Sequence, residues 1–262
     1  MASPQPRTPE YFARMRALEA QSWWNAGMRD VAARMLAMAA LGDHCTVLDA
    51  GCGTGQTLAW LQRTHPGWTS VGLDISREAL SDARGEGVDV VLASVTNIPL
   101  AHESTDLIVT LDVLHHLPVA GGDVAALREM RRVLKPGGYL LFRTNAQSFP
   151  RKPDDVASSY RKYDPSDLRR KLAASGFQIL RMSRVNAVLG LAEIPRELRA
   201  LRRSDSGILA PEPTAPGRAD ELKRAWLGIE GRAVLAGWRL PLGRSIVGLC
   251  RAGDSTRAAS PG

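Results

Sequence analysis

Short apolar runs rich in β-branched residues, "TVLDA", "TSVGLD", "VDVVLAS" and "TDLIVTLD", follow one another between residues 46 and 112. Stretches with helical spacing alternate with such runs, among them "ISREALSDAR" and "DVAALREMRRVLKP". A strand covered on both faces reads as a nearly continuous apolar run, and strands alternating with helices form βαβ units. The pattern continues with "GGYLLFRTN", entered through the helix stop and turn "KPGG". A helix, "DPSDLRRKLAASGF", then stops at Gly176 before a further strand, "FQILRMS". "SIVGLC" supplies a seventh strand. The expected fold class is α/β, a doubly wound parallel sheet with helices on both faces.

The flanks read differently. Thr8-Pro9-Glu10 is a helix start, and a second helix is expected from Met28 to Leu41, closed by Gly42. Residues 1–44 thus form a helical cap before a core at 45–185. A helical insertion at 186–243 precedes the last strand at 244–251, and a tail at 252–262 is expected to be unstructured. Within the insertion, "IPRELRALRR" places Ile194, Leu198 and Leu201 on one stripe. "ADELKRAWLGIEGRAVLAGW" has Leu222, Trp226, Ile229, Ala233 and Ala236 in heptad order and reads as a helix.

Composition narrows the class. With 44% hydrophobic and 23% charged residues, the chain can build a core. It has no apolar run long enough to span a membrane and begins without an apolar leader. Cys45, Cys52 and Cys250 lack metal-ligand spacing and read as free thiols in a reducing, cytoplasmic setting. The net charge is +7, and residues 151–203 carry thirteen Lys or Arg against six Asp or Glu. The rest of the chain balances. That stretch is either a solvated surface or a patch for an acidic partner.

The chemistry centres on "VLDAGCGTGQTLAWL", residues 47–61. A strand running into a glycine loop and a helix start lets backbone approach a nucleotide closely. The dinucleotide fingerprint G-x-G-x-x-G fails, because Gln56 or Leu58 stands where its third glycine belongs. No G-K-[ST] follows, so a Walker loop is excluded. What stands is D-x-G-x-G-x-G, from Asp49 through Gly51 and Gly53 to Gly55.

This motif resembles the first motif of class I S-adenosylmethionine (SAM)-dependent methyltransferases. Four further segments are similar to that family in order and spacing: "VGLDIS", "ASVTNIPL", "TDLIVTLDVLHHLP" and "LREMRRVLKPGGYLLF". The resemblance covers roughly residues 45–183 and implies a Rossmann-like, seven-stranded SAM-binding core. It also implies roles. Asp49 would accept from the amino group of the methionine moiety. Asp74, about 20 residues beyond the loop, would accept from the ribose hydroxyls. Ile75 and Val95 would flank the adenine, and Leu111 would offer main-chain contacts. Ser94 stands where the family has an adenine-binding aspartate, so it would be a neutral partner. The stretch "QSWWNAGMRDVAARML" is similar to H-W-W-[FY]-x-G-R-R of one bacterial subgroup; Trp23, Trp24, Gly27 and Arg29 agree, whereas Ser22 and Met28 depart.

His115 and His116 lie near the expected methyl position and are candidates for a general base, with packing as the alternative. Tyr160 and Tyr163 either line a substrate pocket or pack beneath a loop. The implied reaction is methyl transfer to a small molecule, with oxygen preferred as acceptor. That substrate would be free, anionic or held by a carrier protein. A nucleic-acid methyltransferase is disfavoured because "LDVLHH" replaces the N/D-P-P-Y/F motif. A SAM-binding protein without catalysis remains the alternative from another class.

Overall fold

A computed structural model describes residues 23–147, 161–187 and 217–253. The helix start at Thr8, the residues Tyr160 and Ser22, the stripe of Ile194, Leu198 and Leu201, and most of the tail lie outside them. The described elements are α1 (Trp23–Leu36), β1 (Thr46–Ala50), α2 (Gln56–Thr64), β2 (Thr69–Asp74), α3 (Arg77–Gly85), β3 (Val90–Leu92) and β4 (Thr105–Leu111). After a 3-10 turn at Leu114–His116 come α4 (Gly122–Val133), β5 (Leu134–Asn145), α5 (Pro165–Ala174), β6 (Phe177–Val185), α6 (Arg218–Leu235) and β7 (Ser245–Ala252).

The seven strands form one sheet in the order β3-β2-β1-β4-β5-β7-β6. Strands β1 to β5 pair in parallel, but β7 runs antiparallel to both β5 and β6. The sheet is therefore mixed rather than wholly parallel. A run such as "SIVGLC", buried on both faces, carries no mark of its direction. Adjacent residues within a strand serve opposite faces. Leu48, Ile108 and Leu140 pack with α4 and α5, whereas Val47, Leu107 and Leu141 pack with α1 and α6. The strand order reverses at β1 and β4, which opens a crevice at their carboxyl ends.

Helix α1 begins earlier than its expected start at Met28 and ends at Leu36, well before Gly42. Helix α6 forms as its periodicity predicts, and several of its heptad residues face outward. Leu222, Trp226 and Ile229 are 73%, 39% and 49% exposed, while Leu227, Glu230 and Val234 are buried. Glycine explains which side is buried. A Cβ on Gly27 of α1 would lie 2.7 Å from Leu227 Cδ1, and one on Gly231 of α6 would lie 3.1 Å from Val31 Cγ2. The two helices meet along their smallest residues, where backbones approach most closely. Glu230 adds a polar anchor, accepting from the amides of Asn186 and Ala187 and from Trp226 Nε1. Leu227→Ala is expected to cost about 2–5 kcal/mol in urea unfolding, and Leu222→Ala less than about 0.5 kcal/mol. The opposite ranking would mean that the heptad residues form the buried side.

A second device ties the layer on the other face. Asp123, in the first turn of α4, is 1% exposed. It accepts from Lys171 Nζ at 2.7 Å, from Arg161, and from the Tyr163 hydroxyl at 3.1 Å. That hydroxyl also lies 3.0 Å from the Leu114 carbonyl. Tyr163 is thus a buried strut between the Leu114 turn and α4. On the described part of the basic stretch, Asp123 thereby offsets part of the positive charge of Arg161 and Lys171. Arg170 pairs with Asp167, Arg184 donates to the carbonyls of Gln147 and Gly243, and Arg169 donates to that of Met182.

Candidate active site

Strand β1 delivers its residues to the carboxyl edge of the sheet, and the glycine loop turns there. Gly51, Gly53 and Gly55 all take left-handed φ angles, of 92°, 53° and 80°. Their surroundings differ. A Cβ on Gly51 would lie 2.2 Å from Val113 Cγ2, and one on Gly55 would lie 2.9 Å from Ala83 and Val88. These two glycines allow the loop to pack on its neighbours. A Cβ on Gly53 would meet nothing within 4 Å. Only Gly53 turns its bare α-carbon to open space.

Two carboxylates flank this loop. Asp49 is 2% exposed, and its Oδ2 has no hydrogen-bond partner. Burial, with help from the charge of Asp74, raises its pKa from 3.8 to about 8. Asp74 ends β2 and holds the loop in place. Its Oδ2 accepts from the Gly53 amide at 3.0 Å, and its Oδ1 accepts from the Ser76 amide at 2.9 Å. Ser76 then caps α3, accepting from the Ala79 amide. Each Asp74 oxygen keeps a second lone pair for a further donor. Beside it Ile75 is 56% exposed.

The next candidates separate. Ser94 Oγ lies 2.8 Å from Thr96 Oγ1 and accepts from the Thr96 amide, so it organises its own turn. Val95 is 5% exposed and belongs to the core, because that turn points it inward, away from the opening where Ile75 stands. Leu111 ends β4, half-buried against the α1 side of the sheet.

Beyond Leu111 the chain does something its sequence does not announce. Asp112 has a φ of 62°, unusual for a residue other than glycine. Its amide donates to the Arg143 carbonyl at 2.9 Å, and its carboxylate receives the Arg143 guanidinium through Nε and Nη2. The Trp24 ring lies 5.8 Å from that guanidinium, and Trp23 meets Trp24 edge-on. His115 follows one turn later, 6% exposed, with Nδ1 3.4 Å from Thr144 Oγ1. Burial, reinforced by His116 and Arg143, lowers its pKa to about 4. His116 is exposed and lies against His115 at a tilt of 36°, with 4.3 Å between ring centroids. The structure thus brings Asp49, Gly53, Asp74 and Ile75 together, and sets Asp112, Arg143, His115 and His116 one or two strands away. Arg143 escaped the sequence reading because an arginine closing a strand carries no local signal.

Residues 48–142 match the family described as a methyltransferase domain. These residues carry a methyltransferase domain. The domain is 36% identical over 95 residues to a tRNA (carboxymethyluridine(34)-5-O)-methyltransferase of Arabidopsis thaliana, covering 36% of this chain and 22% of that protein. A fatty-acid O-methyltransferase of Mycolicibacterium smegmatis is 28% identical over 191 residues, 71% of this chain and 60% of that protein. The chain therefore spans less than two thirds of either relative. The fold is shared with phosphoethanolamine N-methyltransferase 2 of Haemonchus contortus, solved with SAM, at a TM-score of 0.62 and 14% identity. That likeness covers 94% of this chain and 58% of the other.

The residues of the methyltransferase domain fit SAM. Asp49 offers a buried acceptor with no internal partner, Gly53 leaves room against the backbone, and Ile75 presents an apolar side chain beside Asp74. Among the described residues no cluster of His, Cys, Asp or Glu is placed to hold a metal ion, and no helix is long and apolar enough to cross a membrane.

Proposed function

We propose that this protein transfers a methyl group from SAM to an oxygen atom of a small molecule. The unpartnered, buried Oδ2 of Asp49 carries the reading. A carboxyl group so placed is costly unless a donor arrives, and the ammonium of a methionine moiety is such a donor. Asp74 would accept from ribose hydroxyls through its remaining lone pairs. Ile75 would cover the adenine, with Ser94 beside its amino group, and Leu111 would line the floor with its main chain. When bound, the cofactor supplies an electrophilic methyl group on a sulfonium.

The loop and these side chains occupy the β1 and β2 end of the crevice. The acceptor is then left the space over β4 and β5. Reactant positioning alone accounts for much of the rate in such a displacement. Oxygen is favoured because the two relatives above are both named as O-methyltransferases. The fatty-acid enzyme matches over the longer stretch, which favours a small acceptor over RNA. The tRNA relative supports nucleic acid as the second reading.

Calorimetric titration tests the cofactor site. Asp74→Ala is expected to weaken SAM by about 1.5–3 kcal/mol, the range for a hydrogen bond to a charged group. Unchanged affinity would remove the ribose assignment. Tritiated SAM offered with bulk tRNA and, separately, with small acids and alcohols decides between the two readings. Label recovered only in RNA would overturn the small-molecule acceptor.

A further inference from the structure

We propose that the acceptor oxygen belongs to a carboxylate, and that Arg143 is the cation that receives it. This rests on reading the chain as an O-methyltransferase and names the chemical class of its substrate.

The first support is the state of two groups in the turn after β4, His115 and Asp112. A hydroxyl that attacks a methyl group must lose its proton, so it needs a base within reach. His115 is poorly suited to that task. It is 6% exposed, its Nδ1 faces Thr144, and its surroundings hold it neutral and weakly basic, with a pKa near 4. Asp112 has both carboxylate oxygens on Arg143. A carboxylic acid has no such requirement, because it is ionised at neutral pH. It needs a cation to draw it out of water.

Arg143 is that cation. It stands at the carboxyl end of β5, next to β4, which in turn pairs with β1 and its glycine loop. Neighbouring strands lie about 4.8 Å apart, so Arg143 sits on a strand about 10 Å from β1. Its side chain is only 11% exposed. Nε and Nη2 are bonded to Asp112, and among the described residues Nη1 has no acceptor. A guanidinium presents its donors in a plane and takes carboxylates in pairs.

The left-handed Asp112 backbone fixes the aim. Main chain meets main chain through the Asp112 amide and the Arg143 carbonyl, and side chain meets side chain through the ion pair. Strained backbone of this kind persists where surrounding contacts over-determine it, commonly at ligand sites. The next residue, Val113, fills the space at Gly51, so the turn abuts the cofactor loop.

The chemistry balances without a base. A carboxylate oxygen forms a bond to the methyl carbon, and the carbon–sulfur bond breaks with its electron pair staying on sulfur. The products are a methyl ester and S-adenosylhomocysteine. The negative charge of the acid cancels the positive charge of the sulfonium, and no proton moves.

The test uses dodecanoate, 5-carboxymethyluridine and dodecan-1-ol as probes. Each is titrated calorimetrically into protein saturated with S-adenosylhomocysteine, then offered with tritiated SAM. At least one acid is expected to bind and yield a methyl ester, and the acid that does so identifies the lipid or nucleoside source. The alcohol is expected to bind about tenfold more weakly or worse and to remain unmethylated. Arg143→Gln should weaken the acid by about 10–100-fold, the loss of a charge-assisted hydrogen bond. Asp112→Asn should tighten it, since asparagine tolerates the left-handed backbone and removes a competing negative charge. A gain of affinity cannot come from misfolding. The proposal is overturned if neither acid binds, if Arg143→Gln leaves acid affinity unchanged, if Asp112→Asn weakens it, or if His116→Ala abolishes turnover. Failure of S-adenosylhomocysteine to bind would instead remove the cofactor reading.

Discussion

Asp49→Asn is expected to raise the stability of the cofactor-free protein at pH 8 while weakening SAM by about tenfold or more. Both effects come from one buried oxygen. In the unfolded chain the Asp49 carboxyl loses its proton near pH 3.8, but in the folded protein it keeps that proton up to about pH 8. Between these values the unfolded state binds fewer protons than the native state. Stability therefore falls as pH rises through that window, and levels off above it. Asparagine removes the titration. The variant should match the wild type near pH 4 and exceed it increasingly up to pH 8, read as melting temperature against pH. The cofactor cost follows because an amide cannot supply the charge that an ammonium seeks, a loss of about 1.5–3 kcal/mol. Parallel melting curves across pH would show that Asp49 is hydrated and ionised, and would remove the basis of the cofactor assignment.

Asp123→Ala is expected to be the most destabilising single change on the opposite face, by about 3–5 kcal/mol in urea unfolding, because it strands charged partners at a buried site. Arg161 would lose its carboxylate, Lys171 would keep only Asp167, and the Tyr163 hydroxyl would lose one acceptor. Burial pushes the Asp123 carboxyl upward, but hydrogen bonds from Arg161 and Lys171 outweigh it and hold its pKa at about 2. With a lowered pKa, the carboxylate contributes stability in full above about pH 4, and loses it as pH falls through 2. The Asp123→Ala variant should therefore show a flatter acid limb than the wild type. A cost below about 1 kcal/mol would mean that solvent reaches the cluster and that the ion pairs behave as surface pairs do.

The seven strands and the glycine loop were legible because their signals are local. A strand buried on both faces needs a continuous apolar run, and a close-approaching turn needs glycine, whatever the rest of the chain does. Asp49 and Asp74 were legible for a related reason: each ends a strand whose register sets where its side chain arrives. The face that α6 buries was not. Its apolar residues encircle the helix, and the buried side was chosen by Gly27 on a partner nearly 200 residues away in sequence. The direction of β7 was silent too, since an apolar run reads alike both ways. So was the meeting of Asp112 with Arg143, 31 residues apart, which depends on strand register and a left-handed turn. By itself the sequence determined the order of elements and the glycine loop, through steric and solvation rules that act within a few residues. The tertiary structure decided which faces meet and which charges pair, because both depend on distances that exist only once the sheet has closed.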